Sequence, residues 1–407
     1  MDFQKVIYMG NICYLFDIDI LERKARPTFP KLPNHALMKF SRYYKNKGYK
    51  VQLIYKPSLI PIQYNPNNVY IGSALYTPNL KRFKKRLNRK LKYPNQLQIK
   101  HIHIGTPTDT CPITDLEGLT CDYTEYDKMI ETDKINLDWY PCNVGFLTRG
   151  CKRHCDYCVN RNKDKITKVN SIWEIYQKKG EYIELLDDNL LASDDAVECL
   201  NECADFYNKT HIPIKLRNGL DCRVVPDDKL QALQRASPAF KSGFHCAWDD
   251  VRNTYIFRNI MKVNKSIPNN MYCYMIYGVE IQTEEEMRKD ILGFFYRYLM
   301  LHKIGVRPIS QLYEDDRDIY KNPFLNAYKL IKSSYNVHLS SASQYLRRKK
   351  DKSKLKICDE IEELLGEYSY VTKRISDIRD LPNFNDKMKQ IANELKIKHI
   401  DVIPNDK

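Results

Sequence analysis

From residue 144 onward the chain alternates through six strand readings: short apolar stretches of strand character, and between them runs with apolar residues at helical spacing. The strand readings are 144–148, 182–187, 212–216, 240–245, 271–277 and 306–310. Helical readings fall between them at 171–179, 194–207, 227–236, 251–262 and 283–302, with Asp194, Asp227 and Thr283 as N-caps. Six successive βα units in residues 141–320 predict a partial (β/α)6 barrel of the TIM type, with chemistry at the C-terminal ends of its strands.

The first 105 residues alternate in the same way. Strand readings at 6–9, 51–54, 69–72 and 102–105 surround a helix at 36–44, for which Gly48 is the stop signal. This predicts an α/β fold that opens on a doubly wound, Rossmann-like sheet. Residues 106–142, with Pro107, Pro112 and Pro141, read as a connecting segment rather than core, so the first domain and its linker take residues 1–140. Residues 321–407 read as a helical, basic C-terminal extension.

Just after the first barrel strand comes Gly150-Cys151-Lys152-Arg153-His154-Cys155-Asp156-Tyr157-Cys158. The CxxxCxxC spacing of Cys151, Cys155 and Cys158 supplies three thiolates from one loop, one fewer than a closed four-coordinate site needs. A four-iron cluster held by three cysteines keeps one iron open to a ligand that is not protein. The other reading is a structural zinc site completed by His154 or a distant cysteine. Such sites usually pair two short ligand hairpins, and no second CxxC-like pair is present. His154 is also adjacent to Cys155, and neighbouring side chains diverge. Cys199 and Cys203 read as core residues one helical turn apart. Cys111, Cys121 and Cys142 match no compact ligand motif.

The 407 residues carry a formal charge of +15. Two basic runs, 81–90 and 347–354, suit phosphate contact or, equally, the solvated faces of surface helices. Leu80, Phe83, Leu87 and Leu91 recur at helical intervals, which makes the first run an amphipathic helix. Thirteen scattered cysteines, a start without signal-peptide layout and the lack of any membrane-spanning stretch predict a cytoplasmic protein with no membrane partner. A non-enzymatic nucleic-acid-binding protein with a structural metal remains the alternative to an enzyme.

The cysteine run, placed after a strand that opens a six-unit βα domain, resembles the radical S-adenosylmethionine superfamily, whose CxxxCxΦC signature has an aromatic where Tyr157 stands. The string Gly145 to Cys151, ending Thr148-Arg149-Gly150-Cys151, is similar to the subgroup with an N-terminal cobalamin-binding-type domain. Further matches are Leu185-Leu186-Asp187-Asp188-Asn189, Gly219-Leu220-Asp221-Cys222-Arg223 and Phe244-His245-Cys246-Ala247-Trp248-Asp249. The segment from Phe29 to Lys39 resembles an FPNLALMK-type stretch of radical S-adenosylmethionine proteins from bacterial and phage genomes.

The resemblance implies that Cys151, Cys155 and Cys158 bind a four-iron four-sulfur (4Fe-4S) cluster and that S-adenosylmethionine takes its open iron. It implies cofactor contacts from Tyr157 and from Asp187, Asp188 and Asn189, the last three as acceptors for the cofactor ammonium. A strand-to-helix turn is the other reading of those three, since it favours the same residues. Arg223 is a contact for a carboxylate or the partner of Asp221 in a structural ion pair. His245, with Asp249, is a cofactor or substrate contact or a hydrogen-bonded core histidine. A flavodoxin- or ferredoxin-like reductant is the implied partner, and a nucleic acid or nucleotide is a candidate substrate. The DxHxxG loop that supplies the lower cobalt ligand is absent, and His35, His101 and His103 have the wrong neighbours for it, so no cobalamin is expected.

Overall fold

The computed structural model describes residues 11–22, 33–61, 64–74, 79–80, 82–83, 85, 98–101, 116, 118–133, 142–155, 158, 165–177, 180–279, 281, 283–312, 363 and 383–402. The fold is mixed α/β, built on small parallel sheets. Its internal contacts divide the chain into two units, Met1–Asn218 and Gly219–Lys407. Among the described residues no helix is long and apolar enough to cross a membrane.

The first unit opens with a four-stranded parallel sheet of order β2-β1-β3-β4, made by β1 (Ile12–Asp17), β2 (Lys50–Ile54), β3 (Val69–Ala74) and β4 (Gln98–His101). The strand pattern in the sequence does not mark Ile12–Asp17, which runs into the next element without a turn signal, while 6–9 and 102–105 lie outside the described residues. α1 (Ile18–Leu21) follows β1 directly, capped by the Asp17 carboxylate on the Ile20 amide. α2 (His35–Asn46) covers the predicted helix and packs on the first three strands. Its N-cap is Asn34, whose Oδ1 accepts from the Leu37 amide while its Nδ2 donates to Ser73 Oγ at 2.9 Å. Of the basic helix, Asn79, Leu80, Arg82, Phe83 and Lys85 are helical, with Leu80 and Phe83 buried. Residues 347–354 lie outside the described residues.

The reading of 106–142 as a mere connector is corrected. α3 (Thr124–Asp133) forms within it, and Cys121, Tyr123, Tyr126, Met129 and Cys142 join one core with Leu15, Phe40, Leu53 and Val144. The cause is visible in the residues: Tyr123, Tyr126 and Met129 fall three apart, so one helical face is apolar although prolines stand on either side. Burying each of these large side chains contributes about 1.5–3 kcal/mol. Burial pushes the Cys121 and Cys142 thiols up to about 12, which suits packing rather than metal binding. Cys111 lies outside the described residues.

The same unit continues with a parallel sheet of β5 (Asn143–Gly145), β8 (Ile183–Leu185) and β9 (Ile214–Leu216), in the order β5-β8-β9. α4 (Ile172–Ile175) starts with a capping box between Ser171 and Glu174, and α5 (Ala196–Thr210) buries Cys199, Leu200, Cys203 and Phe206. Burial raises the Cys199 thiol to about 12. The predicted cap Asp194 is displaced by one residue to Asp195, which makes no side-chain cap.

The second unit holds the parallel sheet β10 (Phe244–Ala247), β11 (Met271–Tyr277) and β12 (Arg307–Leu312). Its helices are α6 (Asp227–Ala236), α7 (Thr254–Ser266), α8 (Glu284–Lys303) and α9 (Phe384–Glu394). Thr283 caps α8 in a reciprocal box with Glu286, as its sequence position predicts, whereas α6 is entered through Pro226 and Asp227 lies in its first turn. The guanidinium of Arg297 on α8 is buried and donates to the carbonyls of Trp248, Asp249, Ile276 and Gly293. It thereby fixes the C-terminal ends of β10 and β11. Of the predicted extension only Glu363 and residues 383–402, with α9, are described.

Candidate functional site

β5 ends at Gly145, where a side chain would meet Ile175 of α4 at 2.7 Å, and the chain turns through Phe146 and Leu147 into a two-residue strand. That strand, β6 (Thr148–Arg149), pairs antiparallel with β7 (Thr167–Lys168). The pairing closes the base of a loop that carries all three cysteines of the motif. Two further ties hold the base: the Val169 amide donates to the Leu147 carbonyl at 2.8 Å, and Asn170 Nδ2 to the Phe146 carbonyl at 2.9 Å. Gly150 opens the loop at φ +108°, and a Cβ there would lie 1.8 Å from the Lys165 carbonyl oxygen. Only glycine fits. Cys151 is buried and Cys155 and Cys158 are half-buried, none of them in a disulfide, and the Cys158 amide donates to the Cys155 carbonyl at 2.9 Å.

The loop after β8 holds this hairpin through three consecutive residues. Asp187 accepts from the Leu147 amide at 3.2 Å, the Thr148 amide at 2.5 Å and Thr148 Oγ1 at 2.8 Å. Asp188 accepts from the Gly150 amide at 2.9 Å, with Arg149 Nη1 3.9 Å away. Asn189 donates from Nδ2 to Cys151 Sγ at 3.4 Å, while its Oδ1 caps the short turn Leu190–Ala192. Burial raises the Asp187 carboxyl to about 6, opposed by its hydrogen bonds from Thr148 and Leu147. Asp187 and Asp188 therefore direct carboxylate oxygens at the backbone of the cysteine loop, and the Asn189 amide reaches the sulfur itself.

Four residues to which the sequence assigned no role belong to this arrangement. Thr148 offers Asp187 both its donors. Asn218, just after β9, donates to the Leu186 and Asp187 carbonyls at 3.0 and 2.9 Å and so fixes the gripping loop from the far side. His35 stands edge-on to Phe146 at 5.0 Å, and the Arg149 guanidinium lies over the same ring at 4.0 Å. Burial, with Lys39 and Arg149 nearby, holds the His35 imidazole well below its ordinary pKa. Glu184, on β8, is buried, with Arg217 Nη1 3.6 Å from one oxygen and no hydrogen-bond partner on the other among the described residues. Burial raises its carboxyl despite Arg217 and Lys215. A lone glutamate inside the apolar run Tyr182 to Leu186 was the signal for it.

Tyr157 lies outside the described residues. Arg223 and His245 belong to the second unit. Asp221 holds Arg223 through a fork of hydrogen bonds at 2.6 and 3.1 Å. His245 lies within 6 Å of the ring centroids of Tyr272 and Tyr274. Asp249 accepts from the Ile276 amide at 3.0 Å.

Among the described residues no three Cys, His, Asp or Glu side chains converge as the ligands of one metal ion would. A four-iron cluster asks for something different: thiolates spaced around a volume, with hydrogen bonds to their sulfurs setting the potential. Three cysteines on one braced loop, with an amide donor on Cys151, fit that demand. No protein-family model and no curated protein matches this chain.

Proposed function

We propose that this chain is a radical S-adenosylmethionine enzyme, with Cys151, Cys155 and Cys158 as the thiolate ligands of a four-iron four-sulfur cluster. The supporting observation is the register between two loops: Asp187, Asp188 and Asn189 meet Thr148, Gly150 and Cys151 in sequence order. Such bracing serves a loop whose sulfurs must keep their spacing.

Cys151, Cys155 and Cys158 would hold the cluster, which together with S-adenosylmethionine would supply one-electron radical chemistry. The residues here have three tasks in that reading. The cysteines hold the irons and leave one coordination position open. Asp187 and Asp188 fix the loop backbone, and Asn189 hydrogen-bonds to one ligand sulfur. On the same reading residues 141–320 are the partial (β/α)6 barrel, and the N-terminal sheet is a Rossmann-like scaffold without cobalamin. A flavodoxin- or ferredoxin-like protein supplies the electron, and the enzyme works in the cytoplasm.

Anaerobic reconstitution with iron and sulfide tests the metal assignment. The expected product is brown, with about four irons per chain. Colourless protein that retains zinc instead would replace this reading with that of a binding protein with a structural metal.

A further inference from the structure

Parallel sheets in α/β folds are normally covered on both faces, so their strands read as continuous buried runs. β11 departs from that rule. Met271, Cys273, Met275 and Tyr277 are buried, while Tyr272, Tyr274 and Ile276 between them are only half-buried. Register places His245 of β10 beside Tyr272 on this second face, and Arg307 and Gln311 of β12 beside Tyr272 and Ile276.

The rings stack against one another. His245 lies 5.0 Å from Tyr272 and 5.6 Å from Tyr274, with interplanar angles of 21° and 25°. The exposed Arg307 brings its guanidinium to 5.9 Å from the Tyr272 centroid, and Gln311 is exposed further along β12. The outer face of such a stack is a stacking surface for a planar heterocycle. A guanidinium beside them matches a phosphate in charge and fork geometry, and an exposed amide offers both a donor and an acceptor. The chain's +15 charge favours an anionic ligand.

We infer that this sheet face of the second unit binds a nucleotide, its base stacked on the His245, Tyr272 and Tyr274 array and its phosphate on Arg307. As a binding site it stands alone; as the substrate class of the enzyme it rests on the radical reading above. The same chemistry is presented by a free nucleotide and by one residue of a single strand.

Calorimetric titration of the full-length protein tests it. The probes are the four ribonucleoside 5′-monophosphates, the matching nucleosides and a short single-stranded oligonucleotide. Each is run with and without saturating S-adenosylhomocysteine. At least one monophosphate should bind saturably and persist in the presence of S-adenosylhomocysteine. Binding should weaken roughly tenfold in Tyr274→Leu. Arg307→Gln, an exposed change that spares the fold, should weaken the monophosphate to the level of its nucleoside. Tighter binding of the oligonucleotide assigns the site to a strand, and equal or weaker binding assigns it to a free nucleotide. The inference is overturned if no probe binds, if Arg307→Gln changes nothing, or if S-adenosylhomocysteine displaces the nucleotide one for one. Nucleotide binding by a protein that makes no 5′-deoxyadenosine would keep this site and remove the radical reading. The reverse pattern would remove this site alone.

Discussion

Gly150 shows how one residue sets the cysteine loop. Its positive φ, and the 1.8 Å that would separate a Cβ from the Lys165 carbonyl oxygen, leave no room for Ala, so Gly150→Ala must move the backbone that carries Cys151. The expected outcome is a folded protein with severalfold less iron after reconstitution, read by iron assay beside a circular dichroism control. Asp17 carries a prediction about pH. Burial, with the Asp19 charge close by, raises its carboxyl to about 7, against hydrogen bonds from Tyr126 and Ile20. The folded chain thus holds a proton that an ordinary aspartate releases near 3.8, so the folded state binds more protons in that window. Stability should fall as pH rises from about 4 to about 7, by as much as roughly 4 kcal/mol. Asp17→Asn should flatten this slope in denaturant titrations repeated across that pH range. An unchanged slope would show that the proton sits elsewhere.

At the scale of elements, strand and helix positions were legible where residues obey one period. The reading 271–277 matches β11, and 227–236 matches α6, because alternation or a three-to-four spacing runs uninterrupted through each. The loop after β8 was legible as chemistry but not as geometry. Sequence marked Asp187, Asp188 and Asn189, yet their hydrogen bonds go to backbone amides and a sulfur some forty residues earlier, a pairing that only the parallel contact of β5 and β8 creates. Arg297 was silent for the same reason, since its four carbonyl partners lie on three separate segments. Replacing it by Met keeps the volume and removes every donor, which leaves buried carbonyls unpaired. The cost should be about 2–4 kcal/mol, measured as a lowered denaturant midpoint. A change below about 1 kcal/mol would mean that water replaces those hydrogen bonds.

For the molecule as a whole, the βα alternation announced a parallel α/β protein, and three parallel sheets bear that out. The prolines around 106–142 misled because proline marks the ends of elements as readily as a lack of them. Between two of them, Tyr123, Tyr126 and Met129 supply the apolar face that joins the first sheet to β5. That continuity gives the N-terminal sheet a plain role in the first unit: its core extends to Val144, one residue from the end of the strand that launches the cysteine loop. The central claim is that this loop holds a cluster competent to cleave S-adenosylmethionine. The most direct measurement is 5′-deoxyadenosine formed by anaerobically reconstituted protein with dithionite, compared with a Cys155→Ala variant. The account predicts product from the wild-type chain and none above background from the variant. Equal yields from the two proteins would contradict it.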